Sequence, residues 1–348
     1  MEPRPTNVGR GFVYMADVFE LTRALLAIPS PTGGEQALTA WLATYLTSLG
    51  WLVERQAVRD GRKNIYAHRG APVLVFTTHL DTVPPELPYR ESATHIHGRG
   101  ACDAKGIVAA MVTAAEELHA SGESRIGLLF VVGEENGSDG AKVAFLLEPK
   151  GRILVNGEPT ENRVVTAQKG ALRVTVEAVG VAAHSGYPAL GDSAVDRLLD
   201  ALERIRRIPL PVDPVLGACT LNIGRIEGGV APNVVAPSAR AELMVRLVGS
   251  ARPIEEAIRE ATGDDVTVAF PLEIPALRAP AIPGHPEATV AFASDLPFYG
   301  AWGVGYQLGP GTIHLAHTDH ESIAKQELVD GVAQYVQVAR TLLAGAPQ

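Results

Sequence analysis

Apolar and polar residues follow one another along the chain in blocks that predict strands and helices in turn. Residues 73–78 and 126–132 are short apolar runs rich in β-branched side chains, a composition typical of buried parallel strands. Apolar residues recur at helical spacing over residues 38–49, and an Ala-rich segment at residues 105–119 is predicted to be a helix. This alternation predicts an α/β fold in which helices flank a mostly parallel sheet.

Local signals predict where several of these elements begin and end. Thr32 and Glu35 have the spacing of a capping box, so we expect Thr32 to cap the second helix and Glu35 to reach back to it. Gly50 is predicted to end that helix in the left-handed conformation. Towards the C-terminus, residues 288–294 and residues 322–343 are each predicted to be a helix.

The pattern changes near residue 166 and indicates a second domain. Four predicted strands and two predicted helices follow one another in the order β-α-β-β-α-β, at residues 171–179, 192–207, 220–226, 239–248, 253–261 and 265–270. This order is the ferredoxin-like split motif. We therefore predict a catalytic domain formed by residues 1–165 and 276–348, into which an α+β domain of residues 166–275 is inserted.

The composition of the chain argues against several classes of protein. The formal net charge of -9 disfavours a nucleic-acid-binding protein, because such proteins carry basic surfaces. No apolar run reaches the ~18 residues that a membrane span needs, and residues 1–19 lack the apolar core of a signal peptide. Cys102 and Cys219 are the two cysteines, too few for a disulfide framework. We therefore expect a cytoplasmic protein without nucleic-acid or membrane partners.

Acidic and imidazole side chains follow the predicted strands. The carboxyl ends of parallel strands meet at one edge of a sheet, so these side chains are expected to converge. Histidine nitrogens and carboxylate oxygens are ligands of zinc, and a bridging carboxylate can join two such ions. The sequence therefore predicts a site for two divalent metal ions among His79, Asp81, Asp103, Glu134, Glu135, Glu158 and His317. Phosphate-loop, nucleophile-elbow and dinucleotide-binding motifs are absent from the sequence.

The adjacent pair Glu134 and Glu135 is the most informative part of this set. Neighbouring side chains at a strand end point in different directions, so one can bind metal while the other acts as general base. Asp81 lies two residues after His79, and its carboxylate is predicted to accept the imidazole N–H. For Asp103, the alternative is that it simply caps the helix that follows it.

Five motifs resemble the di-zinc aminoacylase and carboxypeptidase family. They read TTHLDTVP, GRGACDAKG, VVGEENGS, NGEPT and AHTDHES, and they occur in order over nearly the whole chain. The family includes acetylornithine deacetylase, succinyl-diaminopimelate desuccinylase and glutamate carboxypeptidase. The resemblance implies a zinc-exopeptidase-like catalytic domain that binds two Zn²⁺ ions, with Co²⁺ as the alternative. It also implies an inserted lid domain through which the protein forms a homodimer.

The resemblance also implies a role for each motif residue. It gives Asp103 as the bridging ligand, Glu134 as the general base and Asp81 as the orienting carboxylate, and the other ligands as His79, Glu135, Glu158 and His317. His184 matches a histidine that stabilises the oxyanion in the partner subunit's site, although a plain surface histidine is the alternative. Asn233 and Arg246 match substrate-carboxylate and lid positions of the family, and a structural salt bridge is the alternative for Arg246. Gly309 is expected to shape the wall under the substrate and so to contribute to substrate binding. His320 and Glu321 could compete with His317 as ligands.

The sequence leaves several substrates open. The DAKG variant resembles hydrolases that release lysine or ornithine from the terminal glutamate side chain of an amino-group carrier protein in amino-acid biosynthesis. Arg204, Arg206 and Arg207 would suit an acidic carrier, unless they are only a solvated helix end. The alternatives act on smaller acylated amino acids: N-acetylornithine or N-acetyl-lysine deacetylase, succinyl-diaminopimelate desuccinylase, and a dipeptidase or carboxypeptidase. A metal-binding protein without activity is a remote alternative, since Glu134 is intact.

Overall fold

The computed structural model describes residues 17–345, which form two compact units. The first unit contains the described residues up to Val164, Ala281–Pro286, and the described residues from Phe298 onward. The second unit contains Val165–Pro280 and Glu287–Pro297. Most of the N-terminal stretch on which the expectation about a signal peptide depends lies outside the described residues.

Helices and strands alternate along most of the described chain. The α-helices are α1 (Val18–Leu26), α2 (Gln36–Ser48), α3 (Lys105–Ala120), α4 (Asp139–Val143), α5 (Ala194–Arg206), α6 (Arg252–Thr262) and α7 (Lys325–Ala344). The strands are β1 (Leu52–Ala57), β2 (Lys63–His68), β3 (Leu74–His79), β4 (Arg90–Glu91), β5 (His95–His97), β6 (Ile126–Val131), β7 (Ile153–Asn156), β8 (Val164–Gln168), β9 (Gly170–Val179), β10 (Val212–Asp213), β11 (Gly217–Ala218), β12 (Thr220–Gly228), β13 (Ser238–Leu247), β14 (Thr267–Ile274), β15 (Leu277–Arg278), β16 (Glu287–Val290), β17 (Val304–Gln307) and β18 (Ser322–Ala324). Within residues 17–345, no helix has both the length and the apolar composition required to cross a membrane.

The main sheet of the first unit has the strand order β1-β2-β6-β3-β7-β17. β2 is antiparallel to both of its neighbours, whereas β6, β3, β7 and β17 are parallel to one another. Every residue of β3 and β6 is buried, as expected for strands covered on both faces. The predicted α/β fold with a mostly parallel sheet is therefore confirmed.

The register of the sheet brings the candidate residues to one edge. His79 at the end of β3 pairs with Val131 at the end of β6, and the acidic pair of residues 134–135 follows three residues later. On the other side of β3, Thr77 pairs with Asn156 at the end of β7, which leads to Glu158. The strand ends thus place these segments side by side.

Helix α3 is buried on almost all of its surface and contacts α1, α7, β3 and β6. Its small side chains allow these neighbours to approach closely, which explains why the segment is rich in alanine. A helix that is apolar all round belongs in the interior. The loop that leads into α3 is consequently fixed against the core, and it carries Asp103.

The second unit contains a four-stranded antiparallel sheet with the order β12-β13-β9-β14. Residues along β13 alternate between buried and more exposed positions, so one face of this sheet is covered. Helices α5 and α6 contact the sheet and each other. The chain order β9-α5-β12-β13-α6-β14 is the β-α-β-β-α-β motif expected from the sequence.

Three local predictions were wrong. Helix α2 has no side-chain cap, because the Thr32 hydroxyl donates to Asp81 and Glu35 is buried beside Arg62. Residues 288–294 form no helix: β16 lies there instead and joins β15 and β8 in a three-stranded sheet. The last helix begins only at Lys325, because residues 322–324 form β18, which pairs with β5. Gly50 has the predicted left-handed conformation, with φ of 88°.

Candidate active site

The carboxylate of Asp103 lies between two imidazoles. Its Oδ1 is 3.0 Å from Nε2 of His79, and its Oδ2 is 3.5 Å from Nε2 of His317. His79 and Asp103 are buried, whereas half of the His317 side chain is exposed. One carboxylate oxygen therefore faces each histidine, which is the arrangement that a bridging ligand requires.

Glu135 extends this cluster on the side of His317. Both of its carboxylate oxygens lie 3.0 Å from Nε2 of His317. Ligand atoms of His79, Asp103 and Glu135 all lie within 4.8 Å of one another, close enough to hold a metal ion. The structure thus brings together four of the predicted site residues, which come from three separate loops and one strand end.

The hydrogen bonds of His79 fix which ring nitrogen is directed into the cluster. Nδ1 lies 2.9 Å from the backbone oxygen of Asp81 and donates to it, because a carbonyl oxygen can only accept. Nε2 then directs a lone pair at a carboxylate oxygen of Asp103, which also carries lone pairs. A cation must therefore lie between the nitrogen and the oxygen. A proton or a metal ion can fill that role, so the donor set fits a divalent metal.

The pKa shifts of the cluster also indicate that positive charge is stabilised there. Hydrogen bonds to Asp103 and Glu135 raise the pKa of His317 to about 10, although burial opposes the shift. Burial also lowers the pKa of His79, but the hydrogen bond to Asp103 and the charges of Asp103, Glu134 and Asp81 outweigh it and raise that pKa well above its ordinary value. Burial raises the pKa of Glu135. Several buried carboxylates that lie this close together are stabilised by cations between them.

The carboxylate of Asp81 holds the turn that carries the acidic pair. It accepts backbone N–H groups from Gly133 and Glu134 at 2.9 and 3.0 Å through Oδ1, and from Glu135 at 3.2 Å through Oδ2. The Thr32 hydroxyl donates to Oδ2 at 2.8 Å. The expected hydrogen bond from the His79 imidazole to this carboxylate is not made, since the separation is 3.7 Å and the backbone oxygen of Asp81 accepts instead.

Glu321 does the same for the loop that carries Asp103. Its Oε1 accepts the backbone N–H groups of Gly100, Cys102 and Asp103 at 2.9, 3.2 and 3.1 Å. The sequence indicates Glu321 only as a competing metal ligand, but its two carboxylate oxygens accept hydrogen bonds from these backbone N–H groups and from Arg99 instead. His320 lies in the same loop, and neither it nor His317 belongs to the three-residue group of His79, Asp103 and Glu135. His317 differs in that its Nε2 contacts Asp103 and Glu135 directly. The alternative of Asp103 as a plain helix cap is excluded, as expected, because Ala104 is the N-cap residue of α3 and no side chain caps that helix.

Three further predicted residues lie near strand ends of the first unit. Glu158 is buried after β7 and accepts from the Asn156 amide at 3.4 Å, but it is not part of the group formed by His79, Asp103 and Glu135. Gly309 packs so closely against the backbone of Glu158 that a Cβ would lie 2.6 Å from its oxygen. Glu134 is partly exposed, and its charge contributes to the raised pKa of His79.

His184, Asn233 and Arg246 belong to the second unit and hence to a different part of the chain from the cluster. Nδ1 of His184 accepts the backbone N–H of Gly186 at 3.0 Å, which leaves the proton of the neutral ring on Nε2. The backbone oxygen of Asn233 accepts from Ser185 at 3.0 Å, so these two segments lie side by side. Arg246 lies on β13 and pairs with Thr220 and Ala171.

Known proteins share both the sequence pattern and the fold. The pattern of "Peptidase family M20/M25/M40" matches residues 75–341. A peptidase M20 domain-containing protein of Schizosaccharomyces pombe is 38% identical over 333 residues, which cover 92% of this chain and 83% of that protein. A probable carboxypeptidase of Aspergillus fumigatus is 38% identical over 386 residues, covering 95% of this chain and 88% of the relative.

The crystal structure of an M20 family metallo-carboxypeptidase from Sulfolobus solfataricus has the same fold, with a TM-score of 0.76 at 16% sequence identity. The match covers 94% of this chain and 99% of that one. The family pattern spans most of the chain, and the fungal relatives align over nearly all of it. The chain therefore belongs to peptidase family M20/M25/M40 and is a metal-dependent hydrolase of amide or peptide bonds.

Proposed function

We propose that the protein is a two-metal carboxypeptidase or dipeptidase that releases an amino acid from a short peptide. The observation that carries this proposal is the Asp103 carboxylate, which directs one oxygen at each of two imidazoles. That geometry suits a pair of metal ions, and such pairs are used in peptide hydrolysis. The relatives named carboxypeptidases support a peptide substrate.

Each predicted ligand has a place in this proposal. His79 and Glu158 would hold one ion, His317 and Glu135 would hold the other, and Asp103 would bridge them. Zinc fits this set of nitrogen and oxygen donors, and cobalt can replace it. When bound, the ions supply Lewis acidity, which polarises the scissile carbonyl group and acidifies water.

Glu134 is proposed as the general base. It takes a proton from the attacking water and later delivers that proton to the leaving amine. Its backbone N–H donates to the buried Asp81 carboxylate, as does that of Glu135, so the base and its neighbouring ligand are held by one anchor. The separate directions of adjacent side chains allow one to bind metal while the other reaches water.

His184 is proposed to complete the site of a partner subunit in a homodimer formed through the second unit. Its side chain is exposed, and its Nδ1 is already occupied by the Gly186 N–H. The Nε2–H is therefore the donor available to the oxyanion of the tetrahedral intermediate. Asn233, which lies beside His184, and Arg246 and Gly309 are proposed to bind the substrate, with Arg246 suited to a carboxylate.

A carrier-protein substrate is the second candidate, and the arginines of α5 give it little support. Arg204 donates to the Ala261 backbone and to Asp265, and Arg207 pairs with Glu203. Two of the three arginines envisaged for an acidic carrier are thus engaged within the second unit, and only Arg206 is left as an exposed side chain for which no such contact is seen. The peptidase function is therefore the main proposal.

The first test concerns the metal ligands. His79→Ala and His317→Ala should each reduce the bound zinc from about two ions per chain to about one or fewer, because each removes a nitrogen ligand. Metal content after dialysis, measured by atomic emission, checks this. The matched control is His320→Ala, which alters the same loop and should retain the full metal content. Equal metal content in His317→Ala and His320→Ala would contradict the assignment.

The second test concerns the base and the substrate class. Glu134→Gln should retain its metal and lose turnover by at least about 100-fold, the scale of general-base catalysis. The substrates are a free dipeptide, an N-blocked dipeptide, the C-terminal amide of the blocked dipeptide, N-acetylornithine, N-succinyl-diaminopimelate, and carrier protein loaded with lysine or ornithine. A carboxypeptidase should cleave the free acid much faster than the amide. Faster release of lysine or ornithine from the carrier would favour the second candidate, and metal content without any turnover would favour an inactive metal-binding protein.

The third test concerns His184 and the dimer. Glu134→Gln and His184→Ala homodimers should both be poorly active, because each lacks a group that acts on the substrate. Mixed and reassembled heterodimers should regain activity, since one of their two sites then combines Glu134 from one chain with His184 from the other. Activity is measured before and after exchange of subunits. No recovery despite demonstrated exchange would show that His184 does not act across the interface.

A further inference from the structure

A buried ion pair joins the segment that carries Asp103 to the segment that carries His317. Arg99 Nη1 donates to Glu321 Oε2 at 2.8 Å, and both side chains are almost completely buried. The same Arg99 nitrogen donates to the backbone oxygen of Thr318 at 3.2 Å, and Nε donates to the Pro85 oxygen at 3.1 Å. Arg99 thus contacts the residue directly after His317 while it holds Glu321.

The two carboxylate oxygens of Glu321 accept hydrogen bonds from different parts of the chain. Oε1 accepts three backbone N–H groups of the loop that ends at Asp103, and Oε2 accepts from Arg99. A carboxylate can satisfy both sides because both of its oxygens accept. Its position therefore fixes the backbone of Asp103 relative to the loop of residues 317–321.

His317 needs such support because of its own backbone. It has φ of 63°, in the left-handed region that residues with a Cβ rarely adopt. A residue is held in this conformation only when its surroundings determine it. The Arg99 bond to Thr318 and the Glu321 side chain are two contacts that hold this loop in place.

We propose that Glu321 is a positioning residue for the metal pair, acting together with Arg99. The inference rests on the proposed function, in which Asp103 bridges two ions and His317 binds one of them. Glu321 contacts neither ion in this account. It sets the distance and direction between Asp103 and His317, so that both ligands are in place before metal arrives.

Glu321→Gln is the direct test, because an amide has almost the shape of a carboxylate but only one accepting oxygen. Either the amide nitrogen faces the three backbone N–H groups, or it faces the Arg99 guanidinium. In either orientation the amide N–H groups face other hydrogen-bond donors and make no hydrogen bond with them. The two loops should therefore lose their fixed positions relative to each other. Loss of a partner that orients metal ligands weakens metal binding by roughly 10–100-fold, which isothermal titration with Zn²⁺ should show at a temperature where the apoprotein is folded.

Glu91→Gln provides the matched control. Glu91 accepts from Arg23 at 2.8 and 2.9 Å, and its strand β4 belongs to the same three-stranded sheet as β18, which begins directly after Glu321. It contacts none of the proposed ligands, so Glu91→Gln should lower thermal stability and keep the wild-type zinc affinity. A purely structural Glu321 would behave in the same way. Wild-type affinity in Glu321→Gln would thus overturn the inference.

Arg99→Lys serves if Glu321→Gln does not fold. It keeps the buried positive charge but cannot reproduce the contacts to Glu321, Thr318 and Pro85 together. Weaker zinc binding is therefore again expected, and unchanged affinity would contradict the inference.

The outcome for the wild-type protein separates the two proposals. If wild-type protein bound no divalent ion, the proposed function itself would be wrong. If wild-type protein bound two ions and the variants matched it, only the role of Glu321 would be wrong.

Discussion

The concentration of negative charge around Asp103 is the constraint on which the site depends. Asp103 and Glu135 lie against two imidazoles at the carboxyl edge of the main sheet, where little water reaches them. Buried carboxylates at this spacing repel one another unless cations separate them. The imidazoles of His79 and His317 lie against these carboxylates, and metal ions would separate the carboxylates in the proposed enzyme. The ordinary parts of the fold, a buried parallel sheet and a helix of small residues, hold this unfavourable arrangement together.

Each of the two loops that carry the acidic groups is fixed by one carboxylate that accepts three backbone N–H groups. Asp81 collects three backbone N–H groups of the turn at residues 133–135, and Glu321 collects three from the loop at residues 100–103. Hydrogen bonds from backbone N–H groups to an ionised carboxylate are stronger than those between neutral groups. Each anchor therefore stabilises a loop without using the side chains that the chemistry needs. The ligand groups are positioned by carboxylates that are not themselves the proposed ligands.

Much of the fold and part of the site could be predicted from the sequence, because those features depend on local patterns. Apolar runs gave the parallel strands, and their ends gave the segments with His79, Glu134 and Glu135. Contacts between distant residues could not be predicted in this way. Thr32 has the spacing of a helix cap, yet its hydroxyl bonds Asp81, which is 49 residues away. Glu321 contacts N–H groups more than 200 residues earlier in the chain, and no periodicity indicates such a contact.

The most direct test of this account is anomalous X-ray diffraction from crystals of the zinc-loaded protein. We expect two zinc peaks about 3.5–4 Å apart, with the Asp103 carboxylate between them, His79 beside one peak and His317 beside the other. A single peak, or two peaks without Asp103 between them, would contradict the bridging role from which the proposed function is derived.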